Sequence, residues 1–351
     1  MTILSSTPPL AVTPAPLLGT TALAIETLRK TGEEMYKYYD STQTGVPTYN
    51  GTVGSDIALF NAIFINGFNQ KTLDSVVVAS GVATATVSNG HGYTIGNGRY
   101  ITIADCTGAY SALNGEHKTL TLISGNQFTF EATGLPDGTV TGSLNTKVSP
   151  LGWTSVATGT NLAAYKLGDP TSSGLIFRID DTNAQYMRVF GVETMGDINT
   201  YTNKFPTEAQ ISGGLAWWKR NSGSGASPWA AVGNGKAFRF FPAWSSATTS
   251  ADLFEFADHV SNSTIDNFCC VIVGDKITDT LPMTPVNSST AYVANGNMYI
   301  ARSYLLVSIA SDNLWLFLCL DTKRFFVAPS IKDGLQWLID NAVCGWCLTL
   351  T

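Results

Sequence analysis

The sequence predicts a mainly β protein: an antiparallel β-sandwich host domain with a few helices, carrying an inserted small β-barrel or sandwich module. Three observations lead there. From about Ser75 to Asn145, apolar and polar residues alternate with period two, as in Val82-Ala83-Thr84-Ala85-Thr86-Val87. That is the pattern of strands wetted on one face. Turn-forming pairs separate the runs: Ser80-Gly81, Asn89-Gly90, Asn114-Gly115 and Gly125-Asn126. Only 13% of the 351 residues are charged, against about 25% in an ordinary soluble domain. Such a surface suits contact with other subunits, because charge is depleted at interface cores.

In chain order, residues 1–19 are broken by Pro8, Pro9, Pro14 and Pro16 and are expected to form an extended arm. Thr21 to Tyr38 reads as a helix with Leu23, Leu28 and Met35 on the apolar side and Glu26, Arg29, Lys30, Glu33 and Glu34 on the wet side. A second helix is expected from Ser55, read as the N-cap, with Asp56 in the first turn and Ile57, Phe60, Ile63 and Phe64 buried. Gly67 stops it. Module strands follow at Val76–Val78, Val82–Val87, Tyr100–Ile103, Lys118–Ile123 and Phe128–Phe130. Beyond the module, strands are expected at Leu175–Ile179, Tyr186–Phe190, Leu215–Trp218, Ala230–Val232, Ala237–Phe241, Phe268–Val273, Met298–Ile300 and Leu314–Leu320. Gly233-Asn234-Gly235 marks a hairpin. Short helices are expected at Pro206–Ala209, Ala251–Ala257 and Ile331–Ile339. The domain division is 1–19 as arm, 20–73 with 149–351 as a discontinuous host domain, and 74–148 as the inserted module.

The module carries a resemblance. Ser80-Gly81-Val82-Ala83-Thr84, His91-Gly92-Tyr93, Leu113-Asn114-Gly115 and Asn126-Gln127-Phe128-Thr129-Phe130 resemble a domain common in tailed-bacteriophage virion proteins, often labelled FCCH-like after part of a ubiquitin-activating enzyme. The resemblance implies a β-fold and no ubiquitin chemistry, since the chain has no adenylation motif. The flanks are similar to a phage structural family as well. They run from Gly45-Val46-Pro47-Thr48-Tyr49-Asn50-Gly51 to Asn66-Gly67-Phe68, and resume at Leu151-Gly152-Trp153-Thr154 and Gly159-Thr160-Asn161. In that family the Asn-Gly-aromatic and Gly-Trp-Thr segments can lie almost adjacent. Residues from about Lys71 to Pro150 are then an insertion.

The function classes narrow in step. A net charge of −6 and a pI near 5.0 argue against nucleic acid, which needs clustered Lys and Arg. The densest basic run is Lys219-Arg220, beside Trp217 and Trp218. Adjacent strand residues point to opposite faces, so one of those tryptophans is expected in the core and one at a surface. No signal peptide or membrane span is expected, and synthesis in a bacterial cytoplasm leaves the six cysteines reduced. Cys344-Gly345-Trp346-Cys347 has metal or redox spacing without a second ligand pair nearby, and His91, His117 and His259 lie far off in sequence. Cys269-Cys270 sits in an apolar run and reads as core. No cofactor or metal is expected.

Asp180-Asp181 with Glu193 is the best carboxylate set for hydrolysis. Adjacent carboxylates on a regular strand cannot face one way, so Asp180 and Asp181 beside Thr182-Asn183 read as a turn pair capping backbone amides, with Arg178 or Arg188 as a charge partner of Asp180. Trp217, Trp218, Trp229, Trp244, Tyr165 and Tyr201 are candidate interface residues or glycan platforms. The expected function is a non-enzymatic virion structural protein of a tailed bacteriophage. It would form a homo-oligomer in the tail, baseplate or head–tail region and partner other virion proteins, with a host-surface glycan as a further candidate partner. The alternatives are a capsid decoration protein and a receptor- or glycan-binding tail adhesin.

Overall fold

The computed structural model describes residues 36–93, 98–219, 224–242, 250–251, 254–258, 268 and 270–274, and six short strands between 286 and 328. Residues 250–251 and the strands after 274 are described as backbone only. The arm prolines Pro8, Pro9, Pro14 and Pro16, the helix expected over 21–35, Trp244, His259, Cys269, the helix at 331–339 and the Cys344–Cys347 pair lie outside those residues.

The fold is mainly antiparallel β, as the alternation predicted. A seven-stranded sheet runs in the order Lys37–Asp40, Trp229–Gly233, Ala237–Pro242, Phe254–Asp258, Cys270–Val273, Met298–Ser303, Val307–Ser311. A five-stranded sheet is a meander of Thr154–Gly159, Leu162–Lys166, Ile176–Asp180, Tyr186–Val192 and Leu215–Trp218. Their inner faces meet ring on ring: Phe177 stacks on Phe256 with centroids 4.5 Å apart, and Trp217 on Phe254 at 5.3 Å. This is the sandwich, and its core is aromatic because alternate strand positions on both sheets carry rings.

One helix closes the sandwich core. Ser55–Asn61 is α-helical and continues through a π-helical turn, Ala62–Asn66, to Gly67 at φ 70°, the stop read from sequence. Its Phe60 and Phe64 reach both sheets: Phe60 meets Trp217 and Phe240, and Phe64 meets Tyr165 and Phe238. Ser55 is not the N-cap. Gly54 holds that place at φ 81°, where an added Cβ would lie 2.2 Å from Asn161 Oδ1, so a side chain there is excluded twice over.

Residues 68–148 form a separate eight-stranded sheet, a curled half-barrel. Its order is Phe68–Thr72, Thr141–Val148, Tyr100–Thr107, Gly115–Ser124, Gln127–Glu131, Val82–Thr86, Ser75–Ala79, Gly138–Thr139. Val76, Val78, Ala83, Ala85, Ile101, Ile103, Phe128 and Phe130 line its apolar side, and Thr84 and Thr86 alternate outward as read. All five module strands expected from sequence are present, and the pattern does not mark three others, Phe68–Thr72, Gly138–Thr139 and Thr141–Val148. Its core is continuous with that of the sandwich. Tyr39 bridges the two, packing on Phe68 and donating its hydroxyl to Ser149 O at 2.7 Å.

Three expected helical segments are corrected. The C-terminal end of the helix expected over 21–38 is strand: Lys37–Asp40 pairs with Trp229–Gly233, burying Tyr39 and exposing Tyr38 in period two. The candidate at 251–257 is strand at Phe254–Asp258. There Phe254 and Phe256 face the core, and Glu255 pairs on the other face with Arg239 at 2.7 Å. At Pro206–Ala209 the chain makes a turn, with Thr207 N–H held by the Gln210 side-chain oxygen at 2.8 Å. Among the described residues, no helix is long and apolar enough to cross a membrane.

Candidate functional site

The strongest electrostatic feature is a triad assembled from three distant segments. Asp56 lies in the first turn of the helix, Asp181 follows the strand Ile176–Asp180, and Lys219 follows the strand Leu215–Trp218. All three side chains are wholly shielded from solvent. Lys219 Nζ contacts Asp181 Oδ1 and lies 3.4 Å from Asp56 Oδ2. Asp181 Oδ2 accepts the backbone N–H of Asp56 at 3.0 Å, so it caps the helix from 125 positions away. Around them Gly54 N–H donates to Asp181 O at 3.1 Å, and Asp181 N–H to Asn161 O at 2.8 Å. Lys219 N–H bonds Gln185 O at 2.7 Å.

Two carboxylates share one ammonium, so the fully ionised triad carries an uncompensated negative charge in a dry setting. Burial, and then the Asp181 charge, raise the Asp56 carboxyl to about 7, while Lys219 and bonds from Asn50 and Ser55 oppose the rise. Burial raises Asp181 too, against the pull of Lys219 and the helix N–H groups. The folded triad therefore takes up a proton as pH falls toward neutrality. Stability follows with a definite sign. Below the unfolded-state value of 3.8 both states hold the Asp56 proton. Between 3.8 and about 7 only the folded state holds it, and stability is lost as pH rises through that window. Asp56→Asn removes this titration. Urea unfolding from pH 4.5 to 8 should show a gap in favour of the Asn variant that widens with pH, by on the order of a few kcal/mol. A gap independent of pH would show that Asp56 stays ionised.

The carboxylate set read from sequence is dispersed. Asp180 faces the turn: its Oδ1 accepts Thr182 N–H at 3.1 Å and the Thr182 hydroxyl at 2.6 Å, and Arg178 Nη1 lies 3.8 Å from its Oδ2. Asp181 points the other way, into the triad. Glu193 accepts from Asn203 Nδ2 at 2.7 Å. The divergence of adjacent strand residues and the turn-capping role are both as expected. Lys219 was seen only as half of a basic pair, yet it is the buried partner of two carboxylates.

The described aromatic candidates do not form a platform. Trp217 is in the core, donating Nε1–H to Val273 O at 2.8 Å, and Trp229 is buried against Phe240. Tyr165 is fully buried, its hydroxyl donating to Asn61 Oδ1 at 2.9 Å. Trp218 is half-buried edge-on to Tyr186, so the core-and-surface split of the Trp217-Trp218 pair is seen. Tyr201 is half-buried against Phe190 on a different hairpin. Buried rings offer no face to a ligand, and Trp217, Trp229 and Tyr165 are corrected to core residues. Cys106 and Cys270 are buried thiols; burial, and then Asp105, push the Cys106 thiol above its ordinary value, away from the reactive thiolate.

A scan against protein-family models finds no match to the chain, and a search of curated proteins finds none.

Proposed function

We propose that the chain is a non-enzymatic structural protein of a tailed-bacteriophage virion, assembling as a homo-oligomer in the tail, baseplate or head–tail region. The observation that carries this reading is the geometry of the splice. The phage-like segments Asn66-Gly67-Phe68 and Leu151-Gly152-Trp153 are separated by the whole module in sequence and are joined in space. Leu151 N–H bonds Ile63 O at 2.8 Å, and Gly152 and Trp153 N–H both bond Phe64 O, at 3.0 and 2.9 Å. Phe68 pairs with Val148 across the first and last long strands of the module. The segments on either side of the sheet are thus bonded directly to each other, which supports the reading of residues 71–150 as an insertion into a phage structural fold.

Two further observations are consistent with assembly rather than turnover. The carboxylates with raised protonation in the triad are sealed from solvent, where no substrate reaches them. Val77, Leu120 and Ile123 are exposed aliphatic residues on module strands, and the low charge of the chain suits repeated subunit contacts. The test is immunogold electron microscopy of density-purified virions with antibody against residues 75–145. Label at the tail, baseplate or neck is the expected result. Label over the head would favour a decoration protein instead, and absence of the chain from the particles on blotting would overturn the virion assignment.

A further inference from the structure

Beside the edge strand Lys37–Asp40 lies a cleft of about 100 Å³, lined by Tyr36, Lys37, Tyr38, Arg99, Tyr100 and Ser149 among others. Arg99 is its unusual member. The residue is 6% exposed, and its Nε is buried with no hydrogen-bond partner among the described residues. No ion pair reaches it among the described residues. The carboxylate whose charge acts on it, Asp40, is engaged by its own turn: Oδ1 accepts Thr42 N–H at 2.8 Å and the Thr42 hydroxyl at 2.5 Å. The neighbouring cation is already neutralised, for Lys37 pairs with Glu116 and donates to Pro150 O at 2.5 Å.

A buried guanidinium with no carboxylate in salt-bridge distance among the described residues is costly, and the Asp40 charge offsets that cost only from farther off. Arginine presents a planar fork of donors that matches a carboxylate. On the open side of the cleft Tyr36 and Tyr38 are 50% and 49% exposed. Tyr38, and the side of Tyr36 away from the Arg239 guanidinium that lies 5.8 Å over its ring, offer apolar faces for the C–H edges of a sugar ring, and Arg99, whose Nε has no partner among the described residues, offers a charged clasp for its acid group.

We infer that this cleft binds the carboxylate of an acidic saccharide of the uronate or sialate kind, with Arg99 clasping the acid group and Tyr36 and Tyr38 flanking the ring. The inference stands on the cleft alone and holds whether or not the chain belongs to a virion.

Titration calorimetry of the full chain at low salt tests it, with glucuronate as probe, glucose as the neutral control, and inorganic phosphate and a short acidic peptide as competing anions. Glucuronate should bind and glucose should not, and added salt should weaken the binding. Arg99→Met should reduce affinity by about tenfold or more. It should also melt at or above the wild-type temperature, because it replaces a buried charge that has no ion pair in reach among the described residues by an apolar side chain of similar length. Tyr38→Ala, at an exposed position, should weaken binding with little change in melting, and it decides the matter if the Arg99 variant does not fold. No binding of glucuronate at millimolar concentration would overturn the inference. So would equal or tighter binding of phosphate or the acidic peptide, or unchanged affinity in the Tyr38 variant together with a lower melting temperature for Arg99→Met. That last outcome would make Arg99 a packing residue.

Discussion

Lys219→Met should destabilise the fold by about 3–5 kcal/mol at pH 7.5 and recover part of that loss at pH 5. The ammonium is the partner of two sealed carboxylates, Asp181 in contact and Asp56 at 3.4 Å. Removing it leaves both carboxylates buried with no cation, and breaking a buried pair from one side costs far more than the pair contributes when intact. The pH dependence follows from the same arrangement. Lys219 holds both carboxyls down against burial, so its loss sends both further up, and neutral pH then forces ionised groups into a dry site. Acid relieves this by protonating them. Urea unfolding of wild type and variant at the two pH values measures it. A variant within 1 kcal/mol of wild type at both (roughly the scale of an exposed pair) would mean that water reaches the triad.

Trp153→Ala is expected to cost about 3–5 kcal/mol and to leave little soluble protein. Trp153 follows the splice, is fully buried, and stacks on Phe64 with centroids 4.4 Å apart. Its Nε1–H donates to Asn234 O at 2.8 Å, in the hairpin turn between Trp229–Gly233 and Ala237–Pro242. One side chain therefore ties the helix to the seven-stranded sheet. Truncation opens a cavity among aromatic rings that have little freedom to collapse, and it strips a donor from a buried carbonyl. Trp153→Phe separates the two contributions: it keeps most of the volume and loses the donor, and should cost about 1–3 kcal/mol. Thermal melts of the purified variants read both. An alanine variant that melts with the wild type would contradict this account of the core.

Much of the fold was legible in the sequence, and the misses share a cause. Strands announced themselves where period-two alternation met turn chemistry, as in Val82–Thr86, or in the hairpin around Gly233-Asn234-Gly235. Phe68–Thr72 and Thr141–Val148 were passed over because their polar residues, Asn69, Gln70, Asn145 and Thr146, break the pattern. They are strands because they pair with each other, and Thr141–Val148 pairs on its other side with Tyr100–Thr107. Phe254–Asp258 looked helical from its Ala, Leu and Glu neighbours. Rings on two facing sheets overrode that weak preference.

The class of fold, the turns, the helix stop at Gly67 and the divergence of Asp180 from Asp181 are legible in the order of residues alone. These follow from properties of a residue and its near neighbours: side-chain period, glycine's access to positive φ, the short reach of a turn-capping carboxylate. Long-range packing makes Asp56, Asp181 and Lys219 one buried unit, and leaves Arg99 beside Tyr36 and Tyr38 with no carboxylate in salt-bridge distance among the described residues. It alone moved Trp217, Trp229 and Tyr165 from candidate surface to core. Each of these depends on strands far apart in sequence being brought side by side. Burial and charge pairing are properties of that juxtaposition, and no local pattern of residue types encodes them.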